Sequence, residues 1–144
     1  MKRFLAVFAL VLGSCLLFAQ DRTLRLDYVF TGTDKEQQIA LDEMSCFDGW
    51  AGRTVNMDKV PVRGNGQISV TDIASGKVVY RQAFSTLFQE WQTTEEAVRV
   101  RKSFENVFLV PMPEGKSEVR IELYGFTGGD HDEFLHTDFD GIAY

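Results

Sequence analysis

The sequence predicts an all-β fold: an antiparallel β-sandwich, jelly-roll-like, with one short inserted helix and a cleaved signal peptide in front. Three observations predict it. Apolar residues recur at every second position in several separate segments, the pattern of strands with one buried face. Clusters such as Thr31-Gly32-Thr33-Asp34 and Ala74-Ser75-Gly76-Lys77 break the chain between those segments, as turns do. The first residues carry a short positive run and then an apolar one.

Lys2 and Arg3 precede an apolar stretch from Phe4 to Phe18, which turns polar at Gln20-Asp21-Arg22. That is the layout of a secretory signal, and it is shorter than the ~20 apolar residues of a membrane span. Cleavage is expected after Ala19, which makes 1–19 the signal peptide and 20–144 the β-sandwich domain. A second reading takes Leu12-Gly13-Ser14-Cys15 as a lipoprotein box with a lipid anchor on Cys15. Against it, Leu16-Leu17-Phe18 continue the apolar run past the cysteine. Either way the chain is expected to be exported, to the periplasm, the cell surface or the medium.

Removing 19 of the 144 residues, Lys2 and Arg3 among them, leaves 125 and moves the formal charge from −6 to −8. That length suits one domain with one core. The acidic balance argues against nucleic acid and anionic membrane surfaces, both of which favour basic patches. After cleavage Cys46 is the one remaining cysteine, so an apolar core rather than a disulfide must hold the fold. Cys46 itself reads as a small buried apolar residue.

The first strand is read over Thr23 to Phe30, with Leu24, Leu26, Tyr28 and Phe30 on one face and Arg25 and Asp27 on the other. Ile39 to Met44 reads as a second strand or extended chain. Phe47-Asp48-Gly49-Trp50-Ala51-Gly52 reads as a turn with aromatic anchors, and Arg53-Thr54-Val55 as a short strand. Gln67 to Asp72 and Val78 to Phe84 form the clearest hairpin, with Gly76 free to take positive φ in its turn. Leu87, Phe88 and Trp91 then fall at helical spacing, and Thr93 with Glu96 has the form of a capping box. A short helix or helical turn is expected near Thr94 to Arg99. Ser103 to Val110 is nearly all apolar, as expected of a central strand covered on both faces. Glu118 to Phe126 alternates cleanly, and Phe134 to Phe139 reads as the last strand.

Several constellations invite a chemical reading. His131 and His136 flank Asp132-Glu133-Phe134-Leu135 at i, i+5. The zinc-peptidase helix needs His-Glu-x-x-His, whose i, i+4 pair lies on one helical face. The i, i+5 pair is separated by ~140° on a helix and falls on opposite faces of a regular strand, so no metal site is expected from it. Asp130, Asp132, Glu133, Asp138 and Asp140 make the tail acidic, without the glycine and ligand order of a calcium loop. Gly64-Asn65-Gly66 precedes a strand, whereas a phosphate-cradling loop precedes a helix, and it reads as a turn. Two histidines close together in the sequence supply no Ser-His-Asp or Cys-His arrangement. No catalytic residue, metal ligand or cofactor is expected. Trp50 and Trp91 remain as surface aromatics on which a sugar could stack, although aromatics this frequent in a small β-domain serve the core more often.

Long stretches of the chain resemble the N-terminal domain of the IgA-peptidase family, peptidase family M sixty-four. They are Leu24 to Gly32, Asp42-Glu43 through Phe47 to Arg53, Gly64 to Ile68, Tyr80-Arg81, Phe84 to Ala97, Phe104 to Pro111, and His136-Thr137. Phe88-Gln89-Glu90-Trp91 with the threonines that follow is the most specific part. The resemblance implies a β-sandwich that precedes a separate zinc-peptidase domain bearing the His-Glu-x-x-His helix. No position here matches that motif, so no zinc ligand or catalytic glutamate carries over. The chain is therefore expected to be a non-catalytic accessory or binding module, with the catalytic domain outside it. Its expected partners are a peptidase catalytic domain or an extracellular protein or glycan. Two alternatives stand beside this: a truncated remnant of a full-length zinc peptidase, and a stand-alone surface domain binding carbohydrate or protein.

Overall fold

The computed structural model describes residues 22–60, 63–124 and, for the course of the backbone, 131–139. Seven strands and one helix follow in the order β1 (Arg22–Gly32), β2 (Gln37–Asp48), β3 (Gly66–Asp72), β4 (Lys77–Phe84), α1 (Leu87–Trp91), β5 (Lys102–Pro111), β6 (Ser117–Tyr124) and β7 (His131–Phe139). They form two antiparallel sheets, β2-β1-β5 and β4-β3-β6-β7. The described strands thus divide three and four, against the eight of a full jelly roll.

The alternation in β1 sets the core. Leu24, Leu26 and Tyr28 are each 1% exposed and Phe30 is fully buried, while Arg25 lies outside and pairs with Asp27. Ile68 and Val70 of β3 and Val119, Ile121 and Leu123 of β6 meet them from the other sheet. Burying one such side chain is worth about 1.5–3 kcal/mol. Aromatic edges lock the layers together: Tyr28 meets Phe108 at 5.9 Å and 63°, and Phe84 meets Phe108 at 4.8 Å, separations typical of favourable ring pairs.

The hairpin turn forms as its residues dictate. Gly76 takes φ +66, its amide donates to the Asp72 carbonyl at 2.8 Å, and the Asp72 carboxylate accepts the Ser75 amide at 2.9 Å. The Ser75 hydroxyl, and after it the Ser75 amide, donate to the ionised form and hold the Asp72 carboxyl below the usual carboxylate range.

Four elements differ from expectation. β2 runs from Gln37 to Asp48, because it pairs with all of β1, from Arg22 opposite Asp48 to Gly32 opposite Gln37. The backbone ladder, not side-chain alternation, sets its length. Residues 53–55 form no strand. Val55 is 68% exposed, Asn56 takes φ +49, and the Arg53 guanidinium folds back to the carbonyls of Met57 and Arg81 at 3.0 and 2.6 Å.

The helix lies at Leu87–Trp91, earlier than the capping-box pattern places it. Thr86 caps it, with Oγ1 accepting from the Gln89 amide at 3.1 Å. Residues 94–100 are helical turns, the second form of that expectation, held by Ala97 N to Thr94 O at 3.2 Å and Arg99 N to Glu96 O at 2.9 Å. Thr93 Oγ1 donates backwards to the Glu90 carbonyl, and the Glu96 carboxylate is taken by Trp91 Nε1 and Lys102 Nζ at 2.9 and 2.6 Å. Neither is left to cap a second helix.

β5, expected at the centre of a sheet, is an edge strand with β1 as its neighbour. Its outward residues Val107 and Leu109 are 49% and 44% exposed. Its apolar run is therefore half core and half surface.

Candidate functional site

The chain that leaves β2 turns at Gly49 and crosses in front of β4. Between them lies a cleft of about 780 Å³ lined by residues 47–53, by Tyr80, Arg81, Gln82 and Ala83 of β4, and by Thr23 and Leu109. That volume lies in the range of small-ligand clefts.

Trp50 is the fixed wall. Its indole Nε1 donates to the Arg53 carbonyl at 3.0 Å. Its six-membered ring lies against Gly52, where a Cβ would fall 2.1 Å from Cζ2. Only a glycine permits that approach. Tyr80 stands edge-on to Trp50, with ring centroids 5.6 Å apart at 87°. Arg53 lies 5.9 Å over the Tyr80 ring, a cation–π distance.

The polar wall comes from β4. Tyr80 Oη donates to Gln82 Oε1 at 2.8 Å. Burial pushes the Tyr80 phenol up, and the Arg53 charge opposes that shift. The phenol is therefore neutral and a donor at ordinary pH. The segment before β3 also satisfies the β4 backbone, since Arg81 N donates to the Met57 carbonyl at 2.7 Å while Arg81 O accepts from Arg53.

Arg53, Arg81 and Asp48 are the charged residues of the cleft lining. Arg22, Arg25, Arg99, Arg101 and Arg120 each have a carboxylate within 4 Å. Among the described residues Arg53, Arg63 and Arg81 have none, and the Nε of Arg53 and of Arg81, like that of Arg22, is buried without a hydrogen-bond acceptor.

Trp50 and Trp91 have separate fates. Trp50 is half-buried in the cleft wall. Trp91 is 9% exposed and belongs to the core, between Phe88 and Phe104 at 6.0 and 5.6 Å. Lys102 Nζ sits 5.9 Å from its ring, and its N–H is spent on Glu96. Trp91 therefore offers no free face to a ligand, because the end of α1 packs it inward.

Cys46 is half-buried on β2, and its sulfur accepts from Arg22 Nη2 at 2.8 Å. His131 and His136 both lie on β7, opposite Tyr124 and Arg120 of β6. The signal segment with Cys15 lies outside the described residues, as do Asp130 and Asp140 of the acidic tail. Among the described residues no three His, Cys, Asp or Glu side chains come together as a metal cluster would require. None of the helices there is long and apolar enough to cross a membrane.

The sequence reading found Trp50 but not Arg53, Tyr80, Arg81 or Gln82. They are ordinary strand and loop residues in sequence, and Trp50 and Tyr80 stand thirty positions apart. The one local signal was Gly52, two residues past a tryptophan.

A two-sheet β-sandwich with an aromatic cleft beside one edge strand defines the class: a small β-module. The chain belongs to the Peptidase M64 N-terminus family, whose model matches residues 17–135. No curated protein matches it.

Proposed function

We propose that this chain is a non-catalytic recognition or docking module of an exported zinc metallopeptidase. The observation that carries the reading is the family match over residues 17–135 to the N-terminal part of peptidases. Two sequence facts support it. The chain has two histidines, His131 and His136, and no His-Glu-x-x-His, the pair such a zinc site is built on. Its first 19 residues have the layout of an export signal.

The module's work is then to bind, either to a catalytic domain or to an extracellular target. The test is to incubate purified chain with peptide and immunoglobulin substrates in the presence of added zinc. No cleavage above the buffer control is expected. Cleavage that co-purifies with the chain through successive columns would overturn the reading. Export is tested separately by N-terminal sequencing of chain secreted by a bacterial host. A start at Gln20 is expected, and a blocked, lipid-labelled Cys15 would replace the cleaved signal with an anchor.

A further inference from the structure

Strand β5 is left with one open edge. It pairs with β1 alone, in an unbroken register that sets Leu24 opposite Val110 and Leu26 opposite Phe108. Met112 N donates to the Arg22 carbonyl at 3.0 Å, in step with that register. Opposed residues of an antiparallel pair alternate between those that exchange hydrogen bonds and those that do not. Val110, Phe108 and Asn106 therefore turn their N–H and C=O to β1, while Leu109, Val107 and Glu105 turn theirs outward. Among the described residues those outward backbone groups have no partner.

The other sheet edges are guarded. β4 is covered where Arg81 N meets the Met57 carbonyl and Arg81 O meets Arg53. β2 and β7 each carry a register shift and several acidic residues, such as Asp42 and Glu43 in β2 and Asp132 and Glu133 in β7. Cover, bulges and charge all keep a foreign strand away. From Asn106 to Val110, β5 has neither bulge nor charge, and its outward side chains Val107 and Leu109 are 49% and 44% exposed.

We propose that this edge binds an extended segment of another protein, added beside β5, with apolar residues at alternate positions and basic residues at its ends. In such additions backbone pairing supplies affinity and the alternate side chains supply selectivity. Val107 and Leu109 present the apolar row for cross-strand contact. Leu109 also lines the cleft, so a side chain at that end of the added strand would enter it beside Phe47, which is 46% exposed. Carboxylates stand at both ends of the row. Glu105 is exposed, and the nearby Arg101 and Lys102 are taken by Glu36 and Glu96. At the cleft end the Asp48 side chain is 98% exposed, with Arg22 Nε at 3.7 Å, while Arg53 Nη2 is spent on two carbonyls.

A second copy of this chain is the competing occupant. It would bring a matching edge, but also a net charge of −6 against a net charge of −6, which opposes association. A basic segment meets no such repulsion. The proposal rests on the recognition-module reading only in giving the chain a ligand. If it fails, the cleavage assay still decides that reading on its own.

The test is amide hydrogen exchange with chemical-shift titration by nuclear magnetic resonance. The probe is a short end-blocked peptide of alternating valine and threonine with a lysine at each end. In the dilute free chain the amides of Glu105, Val107 and Leu109 should exchange fast, and those of Asn106 and Phe108 slowly. The peptide should slow the first three about tenfold or more. With glutamates at its ends it should bind about threefold more weakly, a difference reduced by salt and by Glu105→Gln. Methylating the peptide nitrogens that face the edge should abolish binding. Val107→Pro removes an outward donor and none from the β1 ladder, and should weaken binding about fivefold or more. The methylated peptide decides the same point if Val107→Pro does not fold. Slow exchange of the three amides in the dilute free chain, equal binding of the methylated or glutamate-ended peptide, or no shift at millimolar peptide overturns the proposal. Protection that grows with chain concentration alone also overturns it, and assigns the edge to a second copy.

Discussion

Gly52 and Trp50 show how one missing side chain places another. The indole rests where a Cβ at position 52 would stand, 2.1 Å from Cζ2, while its N–H is tied to Arg53 one residue further on. Gly52→Ala must therefore push the ring away from Tyr80 or move the loop. A loss of about 1–3 kcal/mol is expected, the usual range for overpacking, with a shifted Trp50 emission. Chemical denaturation and fluorescence check both, and an unchanged spectrum would show that the loop yields freely.

Glu96 is a second residue whose neighbours set its behaviour. Hydrogen bonds from Lys102 and then Trp91 hold its carboxyl below its ordinary value of 4.5. A depressed carboxylate contributes stability that is fully present above the unfolded value and is lost as pH falls through the folded one. The unfolding midpoint should therefore drop more steeply below about pH 4.5 in the parent than in Glu96→Gln. Parallel pH profiles for the two proteins would remove Glu96 from the account.

Among the elements, α1 depends on its cap more than on its length. Five residues are too few to be helical alone. Thr86 supplies the cap and is 2% exposed. Thr86→Ala should cost about 1–2 kcal/mol, and Thr86→Ser should recover most of it, as read by urea midpoints. β5 offers a sharper comparison between neighbours. Phe108 is 7% exposed among Tyr28 and Phe84, whereas Val107 is 49% exposed. Phe108→Ala should cost about 3–5 kcal/mol and Val107→Thr within about 0.5 kcal/mol. A large loss at Val107 would mean that something covers this edge in solution.

For the molecule as a whole, cohesion comes from the two facing sheets. The inward residues of β1 meet those of β3 and β6, and α1 seals one end with Phe88, which touches Phe30, Phe104 and Trp91. Cys46 is a free thiol. The unfolding midpoint of the signal-free chain should accordingly be the same with and without a reductant, measured by thermal melts at low protein concentration. A drop under reduction would reveal an intermolecular crosslink.

Alternation alone gave β1, the β3–β4 hairpin and β6, because a period of two with one buried face is a local property. Leu24, Leu26, Tyr28 and Phe30 point inward as their spacing requires. The edge position of β5 and the full reach of β2 were not legible, since each depends on which strand lies alongside. Glu96 could cap a helix in sequence, and in space it serves Trp91 and Lys102 instead.

The cleft divides in the same way. The sequence by itself determined an all-β chain with a tryptophan two residues before a glycine, and its stretches carry the family likeness. Only the tertiary structure decided that Trp50 stands in a cleft wall while Trp91 is core, and that Arg53, Tyr80, Arg81 and Gln82 share that cleft. The physical reason is distance along the chain: periodicity reports which face a residue takes within its own strand, whereas a site is made where two remote segments meet.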